Sequence, residues 1–246
     1  MSKVLRSLRP QPILHSLRQP PVSRSFITLP GTEAQTLTAT RILPYNSKSL
    51  YTLIADIDSY SSFLPYCLSS RVTKWSAPDK DGKRWPSEAD LKIGWGGYEE
   101  TFTSRLFCVP RSIVEALGGE AVTSLPRADL EHHKDTLDSP AISNAIFQSI
   151  NTQWRVKPFH YKPPTGRPQT DNTEEPARDR TEVHLSLEFQ FSNPLYAALS
   201  KAVAPKVAGI MIEAFEVRAK KLLDVPGATV HRDKDGVTNA EKQIDA

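Results

Sequence analysis

Residues 182–223 read EVHLSLEFQFSNPLYAALSKAVAPKVAGIMIEAFEVRAKKLL, and two periods meet within them. In the first ten, Val183, Leu185, Leu187, Phe189 and Phe191 alternate with Glu182, His184, Ser186, Glu188 and Gln190. Strict alternation means one buried face and one wet face, which is the mark of a strand in an antiparallel sheet. Asn193 then offers a capping oxygen and Pro194 suits the first turn of a helix, because its missing N–H has no partner to lose there. The helical pattern runs to about Leu223, with a kink predicted at Pro205, where the ring removes a donor and clashes with the preceding turn. Residues 207–215 are apolar on most sides, so this helix is expected to be buried.

The same logic works outward. Gln35 to Leu43 predicts a strand ended by Pro44. Asn46 or Ser47 can cap a helix whose Leu50, Leu53, Ile54 and Ile57 fall at i, i+3, i+4 and i+7. A second short helix is predicted from Ser59 to Leu64, stopped by Pro65. Arg71–Ser76, Glu88–Trp95, Tyr98–Val109, Ser112–Leu117 and Thr152–Phe159 follow as strands, with a short helical turn over Ile142–Ile150. In the second of these strands Ala89, Leu91, Ile93 and Trp95 share a face, and Gly94, Gly96 and Gly97 mark a bulge or sharp bend. The residues at 118–140 and the proline-rich 162–180 interrupt the pattern and predict mobile surface insertions. The order of strand, helix pair, further antiparallel strands and long terminal helix implies an α+β fold. A curved sheet is wrapped around one helix, with an apolar cavity between them.

Composition narrows the function. The 246 residues are 39% hydrophobic, enough to support a core, and 31 Lys+Arg face 28 Asp+Glu. No run reaches the ~18–20 apolar residues of a spanning helix. The balance is uneven, because Lys3, Arg6, Arg9, Arg18 and Arg24 precede the first acid, Glu33. An Arg- and Ser-rich, acid-free segment without a long apolar centre has the composition of a mitochondrial transit peptide, here residues 1–32, with processing expected near 25–35. A disordered basic tail is the alternative. The domain proper is expected over 33–225, followed by a charged flexible tail at 226–246.

Catalytic signatures are missing. There is no nucleophile elbow, phosphate loop or dinucleotide glycine pattern. His132-His133 in DLEHHKD has no spacing that completes a metal site and reads as a solvated loop. Glu99 and Glu100 are strand neighbours that point to opposite faces, so they form no acid–base dyad. Cys67 and Cys108 make neither a metal motif nor a disulfide framework and suit a reducing compartment. The chain beyond the leader is slightly acidic and lacks a basic–aromatic stripe, which argues against nucleic acid.

The most specific segment is YNSKSLYTLIADIDSYSSFLPYCLSSRV, residues 45–72. With its Leu-Tyr-x-x-Ile-Ala-Asp-Ile core and Phe-Leu-Pro-Tyr-Cys ending, it resembles the coenzyme Q-binding branch of the START-like lipid-binding family. That family is also grouped with polyketide cyclase-like proteins. The resemblance continues in Leu91–Gly94, Tyr98–Ser104, Trp154–Val156, Leu187–Phe191 and Ala214–Ala219, and spans roughly residues 35–224 without the two insertions. Most members have Trp where Tyr66 stands.

The resemblance implies a START-like helix-grip fold that binds ubiquinone or a late precursor and helps deliver it. The expected place is the matrix side of the mitochondrial inner membrane, where the protein would be peripheral and would support respiration and quinone biosynthesis as a chaperone rather than an enzyme. Implied partners are coenzyme Q, inner-membrane lipids, and respiratory or quinone-biosynthesis complexes; no catalytic cofactor, metal or nucleic acid is implied. Candidate cavity-lining residues are Phe63, Pro65, Tyr66, Leu91, Ile93, Trp95, Phe102, Val183, Leu185, Leu187, Phe189, Ile210, Ala214 and Phe215. Leu195, Tyr196 and Leu199, with Lys220 and Lys221, are candidates for membrane contact. Two other readings stay open: a cyclase-like enzyme using the same cavity, and an interaction module whose inner face is merely core.

Overall fold

The computed structural model describes residues 33–143, 145–159, 180–201, 204–224, 228–232 and 238–242. The basic leader 1–32 and all but Arg180 of the 162–180 insertion lie outside the described residues. In chain order the main elements begin with β1 (Gln35–Leu43) and α1 (Ser47–Ala55), followed by a 3₁₀ turn over Ile57–Ser62. Next come β2 (Cys67–Trp75), β3 (Pro86–Trp95), β4 (Tyr98–Val109) and β5 (Ile113–Gly119). A 3₁₀ turn over Arg127–His133 runs into α2 (Lys134–Leu137). Then follow β6 (Phe147–Pro158), β7 (Thr181–Phe191), α3 (Pro194–Ser200) and α4 (Val207–Leu223).

The strands form one seven-stranded sheet in the order β1-β7-β6-β5-β4-β3-β2. Every neighbouring pair is antiparallel. This is the α+β helix-grip arrangement: α4 lies against β1 and β7, and α1 against β5 and β6. The alternation in β7 does what the period demands. Val183, Leu185, Leu187, Phe189 and Phe191 are all buried, whereas Glu188 on the other face is exposed.

Caps form where short side chains stand. Asn46 Oδ1 accepts from the Ser49 N–H at 2.8 Å, and Asn193 Oδ1 accepts from the N–H groups of Leu195 and Tyr196. Pro205 does more than kink a helix. It sits in a separate 3₁₀ turn (Ala204–Lys206), so the expected single helix is two, α3 and α4. The helical turn expected over Ile142–Ile150 is also overturned, because Phe147–Ile150 open β6 and pair with β7. Tertiary pairing outweighs local propensity here: Phe147 stacks on Phe191 at 5.3 Å between ring centroids.

The 118–140 insertion is not a mobile surface loop. It folds back over the outer face of the sheet, where Phe107, Leu117 and Leu130 make a second small core. Arg105, pointing out from β4, donates to the carbonyls of Ala121 and Ser139, and the buried Glu115 carboxylate accepts from Thr123, Asn151 and Gln153. The two histidines expected in a solvated loop are buried there too. They flank Cys108: its N–H donates to His133 Nε2 at 3.1 Å, and His132 Nε2 lies 2.9 Å from its carbonyl oxygen. The physical reason is the edge of β4. Its pairing with β3 stops at Arg105, so beyond that point the strand lacks this neighbour and the imidazoles meet the Cys108 N–H and carbonyl in its place. The C-terminal segment expected as a flexible tail contains a hairpin, with β8 (Ala228–Arg232) antiparallel to β9 (Thr238–Lys242).

Candidate functional site, an apolar cavity on the inner face

Between the inner face of the sheet and the helices lies a cavity of about 200 Å³. Its walls come from β3 through β7, from the segment Leu64–Cys67, and from the turn joining α3 to α4. Among its described lining residues there is no Asp, Glu, His, Lys or Arg. The titratable groups are Tyr60, Tyr66 and Cys67. Burial pushes the Tyr60 phenol far above its ordinary range, and its O–H donates to the Ile54 carbonyl at 2.6 Å. Burial likewise raises the Cys67 thiol. Neither Tyr60 nor Cys67 can exchange a proton readily near neutrality.

Eight of the fourteen residues expected to line a cavity do so: Pro65, Tyr66, Leu91, Ile93, Trp95, Phe102, Leu187 and Phe189. Val183 and Leu185, at the other end of β7, are sealed in solid core with Phe215, whose ring packs on Trp154 at 5.3 Å. Phe63, Ile210 and Ala214 instead line a shallow outer groove with Val217, Arg218 and Lys221. The helix explains this division. At 100° per residue, Val207 and Met211 face the cavity, Ala208, Ile212, Phe215 and Ala219 face the core, and Ile210, Ala214, Val217 and Lys221 face the groove. A segment that reads as apolar on most sides is three stripes with three neighbours.

Sequence reasoning missed most of the floor. Leu106, Val114, Ala116, Ile150, Thr152 and Trp154 project from β4, β5 and β6 into the cavity. Their signal was present as alternation within those strands, but the boundary error at Ile142–Ile150 hid part of it. An aromatic wall was also missed: Phe147 meets Phe102 edge-on at 5.8 Å and Phe191 face-on at 5.3 Å.

At the rim, Tyr66 adopts φ 66°, a left-handed conformation that is costly for a bulky side chain. Two bonds hold the turn: Gly94 N–H donates to the Tyr66 carbonyl at 2.9 Å, and Cys67 N–H to the Leu64 carbonyl at 3.3 Å. A Cβ at Gly94 would stand 2.7 Å from Leu68 Cδ1, so the exposed end of that side chain would have to turn aside to admit one. The ring of Tyr66 remains part of the lining while 37% of the residue stays exposed.

Of the candidates for membrane contact, Leu195 is 59% exposed. Tyr196 packs inward instead and donates its O–H to Glu100 Oε1 at 3.2 Å. Lys220 pairs with Glu216 one turn earlier, and the side chain of Leu199 lies outside the described ones. Among the described residues, no helix is long and apolar enough to cross a membrane.

A curved antiparallel sheet gripping a terminal helix, with an apolar pocket kept open between them, defines a START-like ligand-binding fold. The chain belongs to the polyketide cyclase/dehydrase and lipid transport family, whose model matches residues 43–216. It is 31% identical over 182 residues to the mitochondrial coenzyme Q-binding protein of Schizosaccharomyces pombe, covering 74% of this chain and 85% of that one. It is 24% identical over 187 residues to the ribosome association toxin of Escherichia coli, covering 76% and 87%. Among solved structures, the Zhui aromatase/cyclase of Streptomyces superposes with a TM-score of 0.52 at 12% identity, over 80% of this chain and all of that one.

Proposed function

We propose that this protein binds coenzyme Q, or a late precursor of it, in the inner-face cavity and helps deliver it between membrane and protein sites. The single observation that carries the reading is the cavity itself: an almost wholly apolar space, kept open in a fold built for lipids, in a chain similar to a named coenzyme Q-binding protein. A polyisoprenoid tail costs ~0.8 kcal/mol per CH₂ to expose to water, so a carrier needs a lined shelter more than strong polar anchors. Such a protein would work without catalysis, and the lining favours that: a cyclase-like enzyme moves protons, and the described lining holds no carboxylate, imidazole or amine to move them.

In this reading residues 1–32 direct import, and the protein acts as a peripheral chaperone on the matrix side of the inner membrane. It would serve respiratory electron transport and quinone biosynthesis there. The exposed Leu195 on α3 would touch the bilayer, with Lys220 and Lys221 near anionic lipid, each basic residue contributing ~1 kcal/mol at close approach. Tyr196, turned toward Glu100, would hold α3 in place rather than enter lipid.

The test is mass spectrometry of an organic extract from purified protein, followed by titration with decylubiquinone. A co-purifying quinone, or saturable uptake of the added one, is expected. Purified, folded protein that carries no lipid and takes up none would favour the interaction-module reading, to which the ribosome-associating relative gives some support.

A further inference from the structure

The floor of the cavity is not uniform, and its one polar area has the shape of a head-group site. Strand β5 crosses the middle of the sheet, and its inward residues shrink along the strand from Val114 to Ala116 to Gly118. On either side stands a hydroxyl: Ser104 on β4, paired in the sheet beyond Arg105, and Thr152 on β6, directly opposite Ala116. Among the described residues neither hydroxyl has a hydrogen-bond partner, although Ser104 is only 3% exposed. Two residues along the same face of β6, Trp154 is also 3% exposed, and its indole N–H has no partner among the described residues. The nearby Phe215 ring, tilted by 47°, offers only a π face.

Buried donors are normally satisfied, and leaving one unmade is costly. Here two hydroxyls and one buried unpartnered N–H stand around the flattest, smallest-residue part of the floor, and the second unpartnered indole N–H of the lining, that of Trp95, lies on β3. Ser104 is level with Gly118 and Thr152 with Ala116, so two strand spacings and a two-residue offset put the two backbone positions roughly 12 Å apart, with the side chains reaching inward. A flat ring with an oxygen at each end, plus a hydrogen bond of ~2.8 Å on either side, spans such a gap. Resting on the coenzyme Q reading above, we propose that the quinone ring lies face-down over Ala116. Its carbonyl and methoxy oxygens accept from Ser104, Thr152 and Trp154, and its tail runs along Leu91, Ile93 and Trp95 to the rim at Tyr66. The head group enters first, and the tail fills the apolar half.

The experiment compares decylubiquinone with decylbenzene, which keeps the chain and a ring but has no oxygen. Binding is measured by equilibrium dialysis for the parent, a Ser104→Ala/Thr152→Val double variant and Trp154→Phe, each checked for fold by circular dichroism. The infrared carbonyl bands of the bound quinone are recorded in parallel. The expected result is a loss of about tenfold in quinone affinity for the double variant and about fivefold for Trp154→Phe, with decylbenzene affinity changed less than twofold and the carbonyl bands moved to higher frequency. Thr152→Ser, which keeps the hydroxyl, should restore most of the affinity. A parent that binds quinone while the variants bind it equally, with unmoved carbonyl bands, overturns the head-group site and leaves the carrier reading intact. A parent that binds neither ligand overturns the carrier reading and the site with it.

Discussion

The two faces of the β4–β5–β6 region are both covered, yet they are built on opposite rules. On the outer face the 120–139 segment closes over Phe107, Leu117 and Leu130, and most polar groups beneath it are bonded: Arg105 and Glu115 are ringed by hydrogen bonds and both histidines reach Cys108, while His133 Nδ1 and Asn151 Oδ1 have no partner among the described residues. On the inner face the same strands present Leu106, Ala116, Thr152 and Trp154 to open space. The outer face is filled and bonded; the inner face is apolar and kept vacant. The main core, with Leu50, Ile54, Leu185 and Ile212, also lies on the inner side, so it is only around the cavity that this face gives up packing to keep room.

The sharpest way to break this comparison is a pair of truncations. Leu130→Ala removes a fully buried side chain from a closed core and should cost about 3–5 kcal/mol. Leu187→Ala opens onto an existing cavity, so its neighbours lose fewer contacts, and about 1–2 kcal/mol is expected. Denaturant melts of the two ligand-free variants decide the matter. Equal losses would mean that the inner face is ordinary core.

Acid should strike the outer face next. Burial, aided by the adjacent His132, lowers the pKa of His133 from 6.5 to about 3. The unfolded chain therefore takes up a proton below pH 6.5 that the folded chain refuses. Stability from this group is complete above pH 6.5 and falls by about 1.4 kcal/mol per pH unit as pH drops toward 3. Protonated His133 could no longer accept from the Cys108 N–H. A His133→Phe variant, less stable at neutral pH because that N–H loses its acceptor, should show a correspondingly shallower loss between pH 6 and 4 when melts are compared. Parallel pH curves would refute the assignment.

The smallest effect belongs to the rim. Tyr66→Gly relieves a left-handed backbone cost of about 1 kcal/mol while losing a half-exposed ring, so the change in melting stability should stay within about 1 kcal/mol of zero. Its effect should appear as faster release of bound quinone, measured by transfer to acceptor vesicles. Unaltered release would remove Tyr66 from the exit path.

How much of this is legible in the chain follows from the range over which each signal acts. Strand β7, the caps at Asn46 and Asn193, the bounds of β1 and β4, and the end of α4 at Leu223 rest on neighbours within a few positions, and they can be read directly. The alternation in β3 and β7 by itself brings Leu91, Ile93, Leu187 and Phe189 to the inner face. Periodicity says which face is buried, but not what lies opposite. Val183 and Leu187 have the same signature, and only the position of Phe215 over one end of β7 makes the first solid core and the second cavity wall. The same holds for α4, where three stripes of one apolar helix meet three environments. His132 and His133 read as solvated because their partner, the Cys108 backbone, lies 24 and 25 residues away. Local sequence determined the elements and their faces, because dihedral preference and amphipathic period are short-range. Whether a buried face is packed or left empty was decided by contacts between strands and helices far apart in the chain, and so by the tertiary structure alone.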